Sequence, residues 1–534
     1  MKTHLTVLLV AVAAFTITIN GYAQDQAAKP LTDREIAFHL LNRMAFGPGP
    51  GDVDRVIKMG HKAWIQEQLK PSSIDDSELD SRLDESFPSR KMTMEEIFSE
   101  YRPEYKANED TATVEKRNRL RGQIREELAD AVVVRAVLSK RQFHEVIVEF
   151  WRNHFNVDTN KDDVVYLANH WEENVIRRLA WGKFENLLLA TAHHPAMLIY
   201  LDNAVSQKPI IEQPAQQRRG AFNRREKPQP VRRPDARQRG LNENYARELM
   251  ELHTLGVDNY YSQRDVYELA RVLTGWSVGW YESAGKKTYG FKFNQDWHDT
   301  YDKVIFGQRL PGNGGLPLGI NVVRSLANHK GTSEFLSYKL CRYLLNDYPP
   351  KDMVKRIASV WRRHDGRLSE VYEAIVTSPE FLKREHFRTK FKTPFEFAVS
   401  SIRATGAQIK QTRDVRYALH NMGQPVYTCE DPTGYYDQAE AWLDPGVLFH
   451  RWSFALSLAH ERIKGIEIPR EFWRQFGGKS PEEVKDWLIQ QTLPGGIDER
   501  TAKAMDQAVE KNQSGSYFSQ LYGLVLGSPT FQQQ

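Results

Sequence analysis

Between Gln123 and Asn153 apolar side chains recur at helical spacing with hardly a break, which commits the centre of the chain to long α-helices. Leu128, Val132, Val133, Ala136 and Val137 share one side of a first segment that reaches Lys140. Phe143, Val146, Ile147 and Phe150 share one side of a second, from Arg141 to Asn153. The same period returns over 163–180, 184–192, 241–255, 333–345, 351–363, 368–377, 394–404 and 447–460. Start signals agree with it. Thr32 followed by Glu35 reads as a capping box, and Ser262 with Asp265 caps a helix that ends at Thr274-Gly275. One stretch changes period: Trp276 to Trp280 and Tyr289 to Phe293 alternate aromatic with polar or small residues. The expected fold is mainly α, a large irregular multi-helix bundle with a small β-hairpin excursion near 276–310.

The first residues read differently from the rest. A lysine at position 2 precedes an apolar run from Leu5 to Ile19, and Gly21-Tyr22-Ala23 places small residues where a signal peptidase cuts. As a helix the run spans roughly 22 Å, short of the ~30 Å hydrocarbon core, so a cleaved signal peptide over 1–23 is expected rather than an anchor. No later stretch is apolar and long enough to span a membrane. The mature chain is expected outside the cytoplasm, in the periplasm or beyond the cell. That compartment permits a disulfide between the two cysteines, Cys341 and Cys429; two separate buried thiols are the other reading. The formal charge of +4 is local in origin. Nine basic and three acidic side chains fall between Glu212 and Gly240, so the remainder is slightly acidic. The 213–239 segment, rich in Gln, Pro and Arg, is expected to be a disordered surface insertion. No basic face is left to favour nucleic acid.

Four clusters place polar groups beside apolar periodic segments. They are Phe150 to Asp158, which contains Asn153 and His154; His193-His194-Pro195, followed by Tyr200 to Asn203; Asn242 to Val257; and Trp297-His298-Asp299, with Lys303 and Gly307 behind it. On a helix, Asn244, Glu248 and Glu251 form one stripe beside the apolar stripe of Leu249, Leu252 and Leu255. Acids at such a boundary need a partner. Glu248 and Glu251, joined by His154, His194 or His298, suit a divalent cation. Pairing of Arg247 and Arg271 with those acids, in a structural network between helices, is the other reading. Asn242 can serve as an N-cap, and His253 lies where a helix dipole favours its charged form. His298-Asp299 reads as an oriented imidazole or as a simple turn. Of His193 and His194, one is expected to cap and the other to point inward. There is no Gly-x-Ser-x-Gly elbow, phosphate-binding glycine loop or dinucleotide fingerprint.

These four strings resemble the family catalogued as domain of unknown function 1800. So do His39 to Arg43 with Phe46-Gly47-Pro48, Leu269 to Trp276, Lys390-Phe391-Lys392 with Pro394, Gly423-Gln424-Pro425, and Asp431 to Tyr435. The resemblance covers nearly all of the chain after the signal. It implies a helical family core over 31–460; the tail's own pattern adds two or three helices, expected as a C-terminal segment over 461–534 packed on that core. It also implies an exported bacterial protein and, because genes of such proteins often lie beside those of an exported sulfatase- or phosphatase-like family, a partner of that kind. No activity is established for the family. Two functions are therefore expected: a binding or assembly protein acting with that partner, or a metal-dependent hydrolase or other metalloenzyme on the Asn242–Gly256 helix, in which Glu248, Glu251 and His253 converge with His154, His194, His298 and Asp299.

Overall fold

The structure is a computed structural model and describes residues 29–103, 109–208, 240–283, 285–511 and 517–534. The expected signal peptide over 1–23 and the 213–239 segment lie outside the described residues. Among them are 23 α-helices and three two-stranded antiparallel sheets. The mainly α expectation holds, and so does the β excursion. Trp276–Ser283 pairs with Lys286–Phe293, and Lys303–Ile305 pairs with Gln308–Leu310 around a tight turn in which Phe306 and Gly307 both have positive φ. No helix among the described residues is long and apolar enough to cross a membrane.

Both expected capping boxes form, at Thr32/Glu35 and at Ser262/Asp265. Boundaries move where apolar spacing is a poor guide. The expected helix over 123–140 runs from Thr111 to Leu138, because Asp110 caps a first half made of good helix formers with little to bury. The expected 163–180 helix splits into Val164–His170 and a π-helical segment, Trp171–Arg177. The expected 241–255 helix shrinks to Asn244–Glu251. The Asn242 side chain turns the chain in by accepting from the Asn244 amide, and the Thr254 hydroxyl donates to the Leu249 carbonyl and closes the last turn.

One continuous apolar core runs from Ala37 to Phe531. Trp151 sits at its centre, fully buried between Phe150, Phe155 and Phe184. Its indole N–H donates to the Tyr372 hydroxyl at 2.6 Å, and that hydroxyl donates to the Ala180 carbonyl at 2.6 Å. The C-terminal helix Tyr517–Gly527 packs on Pro445–Ala459. The chain end pairs through its backbone with Lys390 and Lys392. Cys341 and Cys429 are two separate buried thiols, not a disulfide.

Tyr372→Phe leaves the indole N–H and the Ala180 carbonyl without a partner inside the core. It is expected to lower unfolding stability by about 1–3 kcal/mol, read as a shift in the urea midpoint at constant slope; an unchanged midpoint would show that the bridge is not needed.

Candidate functional site

The site is built at the end of the Gln142–His154 helix. Its face toward the chain centre is apolar, but Glu145, Glu149 and Arg152 recur at helical spacing through it and are carried inside with it. Arg152 meets Glu172, whose side chain is only 1 % exposed. The π-helical segment supplies Glu172, Glu173 and Arg177 together. Arg177 reaches Glu172 at 3.6 Å and grips both oxygens of Glu145 at 2.6 and 2.8 Å. Glu173 accepts from Arg135 and Arg90. Tyr427 donates its hydroxyl to Glu172 at 2.5 Å. Burial works against the Glu145 carboxylate, but the Arg177 charge and hydrogen bonds outweigh it and hold its pKa at about 2. Glu149 goes the other way. Burial pushes it up to about 7 against the pull of Arg152, although Tyr343 donates to it at 2.6 Å.

A loop closes over this helix end. Asn153 pairs with it as a strand would, its amide donating to the Tyr435 carbonyl and its oxygen accepting from the Tyr435 N–H, both at 2.7 Å. Asn156 donates to the Cys429 and Asp431 carbonyls at 2.9 Å. Gly434 permits the approach, since a Cβ there would lie 2.4 Å from the Asn153 carbonyl. Beneath the loop, Glu149, Arg152, Gln424 and Tyr435 line a cavity of about 30 Å³, room for about one water.

His154 lies on the far side of the same turn. Lys339 donates to its Nδ1 at 3.1 Å, so Nε2 carries the proton toward the His253 carbonyl at 3.3 Å. His253 does not take the charged form that a helix end favours. Burial, reinforced by Lys339, lowers its pKa to about 3. Glu248 is half-buried and its carboxylate has no hydrogen bond or ion pair among the described residues; burial and then the Glu251 charge raise it to about 7. Glu251 instead pairs with Arg247 at 3.6 Å, and Arg247 also reaches Glu243. Asn244 is exposed. Asn242 initiates the helix as described and also donates to the Asp202 carbonyl, but the residue at the cap position is Glu243.

The remaining candidates are placed elsewhere. Asp299 takes a two-pronged contact from Arg271 at 2.9 and 3.1 Å and sits beside the fully buried Lys303. His298 Nδ1 bonds the Thr274 carbonyl at 2.9 Å, not Asp299, so the pair is a turn held by an ion pair. Gly275, at φ +80°, lets the neighbouring backbone approach. His194 both caps the Pro195–Tyr200 helix and is buried, and it bonds His170 at 3.0 Å. His193 Nδ1 bonds the Leu189 carbonyl, in the helix that ends here, at 2.8 Å. His154, His194 and His298 thus have separate sets of partners, and none of them bonds the Glu248 carboxylate. Among the described residues no three His, Cys, Asp or Glu side chains are grouped to hold a metal ion. The convergence expected of a metal centre is not formed. Glu145, Glu149, Glu172, Glu173, Arg177, Tyr427 and Lys339 are not among the residues the sequence points to; acids and arginines at helical spacing inside an apolar run are the signal available for the first two.

A mainly helical chain with a buried Arg/Glu ladder, topped by a clamped loop, is the class of protein these features define. The family model described as protein of unknown function (DUF1800) matches residues 39–533, and the chain belongs to that family. Neither a curated protein nor a solved structure matches it.

Glu172→Ala leaves Arg152 and part of Arg177 buried without their counter-charge. It is expected to cost about 3–5 kcal/mol in a denaturant titration, and a cost under about 1 kcal/mol would place the ladder in water. A pH series gives a second check. His39, His144 and His253 have folded pKa values lowered to about 3, below the usual 6.5, with burial the first cause in each. Their stability is complete above pH 6.5 and is lost as pH falls toward 3. The urea midpoint is therefore expected to drop already between pH 6.5 and 5; a flat midpoint over that interval would contradict buried neutral imidazoles.

Proposed function

We propose that the protein is an exported binding or assembly protein that acts with an exported sulfatase- or phosphatase-like partner. The observation that carries this reading is how the polar groups are used. Asn153, Asn156, His154, Glu172 and Asp299 each bond to protein, and the first two spend their hydrogen bonds on fixing the 423–437 loop. In and just beyond that fixed loop the chain exposes large aromatics, Tyr436 at 57 %, Phe449 at 63 % and Trp452 at 46 %. Tyr348, at 71 %, is tethered alongside through its hydroxyl to Glu440. Aromatics held on a rigid support are the usual anchors of protein interfaces. The apolar run at the N-terminus with its small-residue cut site supports export. The metalloenzyme reading needs the candidate ligands to converge, and no observation favours it.

The test is a native pull-down of the full chain against the exported sulfatase- or phosphatase-like protein encoded beside its gene. A complex at micromolar concentration is expected, weakened roughly tenfold by Phe449→Ala with Trp452→Ala, together with N-terminal sequencing that begins at Gln24. Absence of a complex, or stoichiometric zinc or calcium in elemental analysis of the purified chain, would overturn the reading.

A further inference from the structure

A groove of about 370 Å³ lies where the start of the Met94–Tyr101 helix, the His193–Pro195 junction and the Lys286–Phe293 strand meet. That is within the range of small-ligand sites, and none of the chemistry above uses it. Its polar character is set by three histidines whose protons can be assigned from their partners. The Ala196 N–H donates to His194 Nδ1 at 3.1 Å, so that nitrogen is bare. His194 is buried and neutral, so its proton is on Nε2 and is given to His170 Nδ1 at 3.0 Å. His170 must then carry its own proton on Nε2. His193 is oriented oppositely. Its Nδ1 lies 2.8 Å from the Leu189 carbonyl, which can only accept, so its Nε2 is bare.

His170 and His193 both line the groove, and neither Nε2 has a protein partner or is buried among the described residues. The groove thus presents one fixed donor and one fixed acceptor on neutral rings. A metal ion does not fit this pair: His170 could offer a lone pair at Nε2 only by breaking the chain of bonds through His194 to the Ala196 amide. The lining holds no Lys or Arg, and its one carboxylate, Glu95, is engaged by the Tyr289 N–H at 2.6 Å. Sulfate or phosphate esters would meet a negative charge and no counter-charge. A hydroxyl group matches, because it donates and accepts at the same oxygen. An aromatic surface completes the lining, with Tyr281 38 % exposed and its hydroxyl lying over Gly290, where the absent side chain leaves room. We propose that this groove binds a neutral carbohydrate chain, with His170 donating to sugar hydroxyls, His193 accepting from them, and Tyr281 as the stacking platform.

Isothermal titration of the full chain at pH 7.5 with cellotetraose, maltotetraose and chitotetraose tests this. At least one is expected to bind. The His193 ring stacks on Trp276 with centroids 4.6 Å apart; His193→Phe, which keeps an aromatic ring there, and the exposed Tyr281→Ala should each weaken binding roughly tenfold or more, with thermal unfolding unchanged for Tyr281→Ala. His170→Gln, which retains an N–H donor, should bind more tightly than His170→Phe. The proposal is overturned if none of the three sugars binds at millimolar concentration, if both His193→Phe and Tyr281→Ala bind as the parent does, or if a heparin tetrasaccharide binds more tightly than every neutral probe.

Discussion

The Glu172 carboxylate, buried and shared by Arg152, Arg177 and Tyr427, is the interaction on which the rest of the site depends. An ion taken out of water costs several kcal/mol, so such a group persists only if every neighbour is in place. Here the neighbours come from the Gln142–His154 helix, the π-helical segment and the 423–437 loop. Fixing Arg152 fixes the turn that carries Asn153 and His154. Asn153 then sets the position of Tyr435, and His154 sets that of Lys339 and the His253 carbonyl. The π-helical segment is the enabling irregularity. It spreads Glu172, Glu173 and Arg177 so that Glu172 and Arg177 address the Gln142–His154 helix while Glu173 addresses Arg135 on the Thr111–Leu138 helix.

Two kinds of polar residue therefore coexist in the molecule. Those at the helix end are saturated by protein and give rigidity. His170 and His193, at the groove, are each satisfied on one ring nitrogen only, which leaves the other directed and unused. The Arg271–Asp299–Lys303 group belongs to the first kind, holding the β excursion against the Gln263–Leu273 helix.

The architecture was largely legible in the sequence because burial imposes periodicity. The capping boxes at Thr32 and Ser262 and the change of period at Trp276 each had a local cause and were found. The first half of the Thr111–Leu138 helix was not, since a helix face that buries little leaves no apolar trace. The candidate site was legible as strings but not as a constellation. Asn153 and His154 do lie at its centre. Glu248, His298 and His194 do not join them, because nothing local says which distant segment a polar side chain will meet. His253 was misjudged for a related reason: the dipole of a helix end is a property of the helix, whereas the desolvation that overrides it comes from the tertiary fold.

The clamp at Asn153 has a consequence for how the molecule assembles. Its partner, Tyr435, is 282 positions further along the chain. Everything between them must be synthesised, and much of it packed, before the loop can be seated. Contacts of such long sequence separation demand a large loss of chain entropy before they return any stability. Until then the helix end, with a carboxylate and a guanidinium meant for the interior, stands uncovered. The loop is thus a late piece of the nascent molecule, with only the C-terminal helices left to follow it.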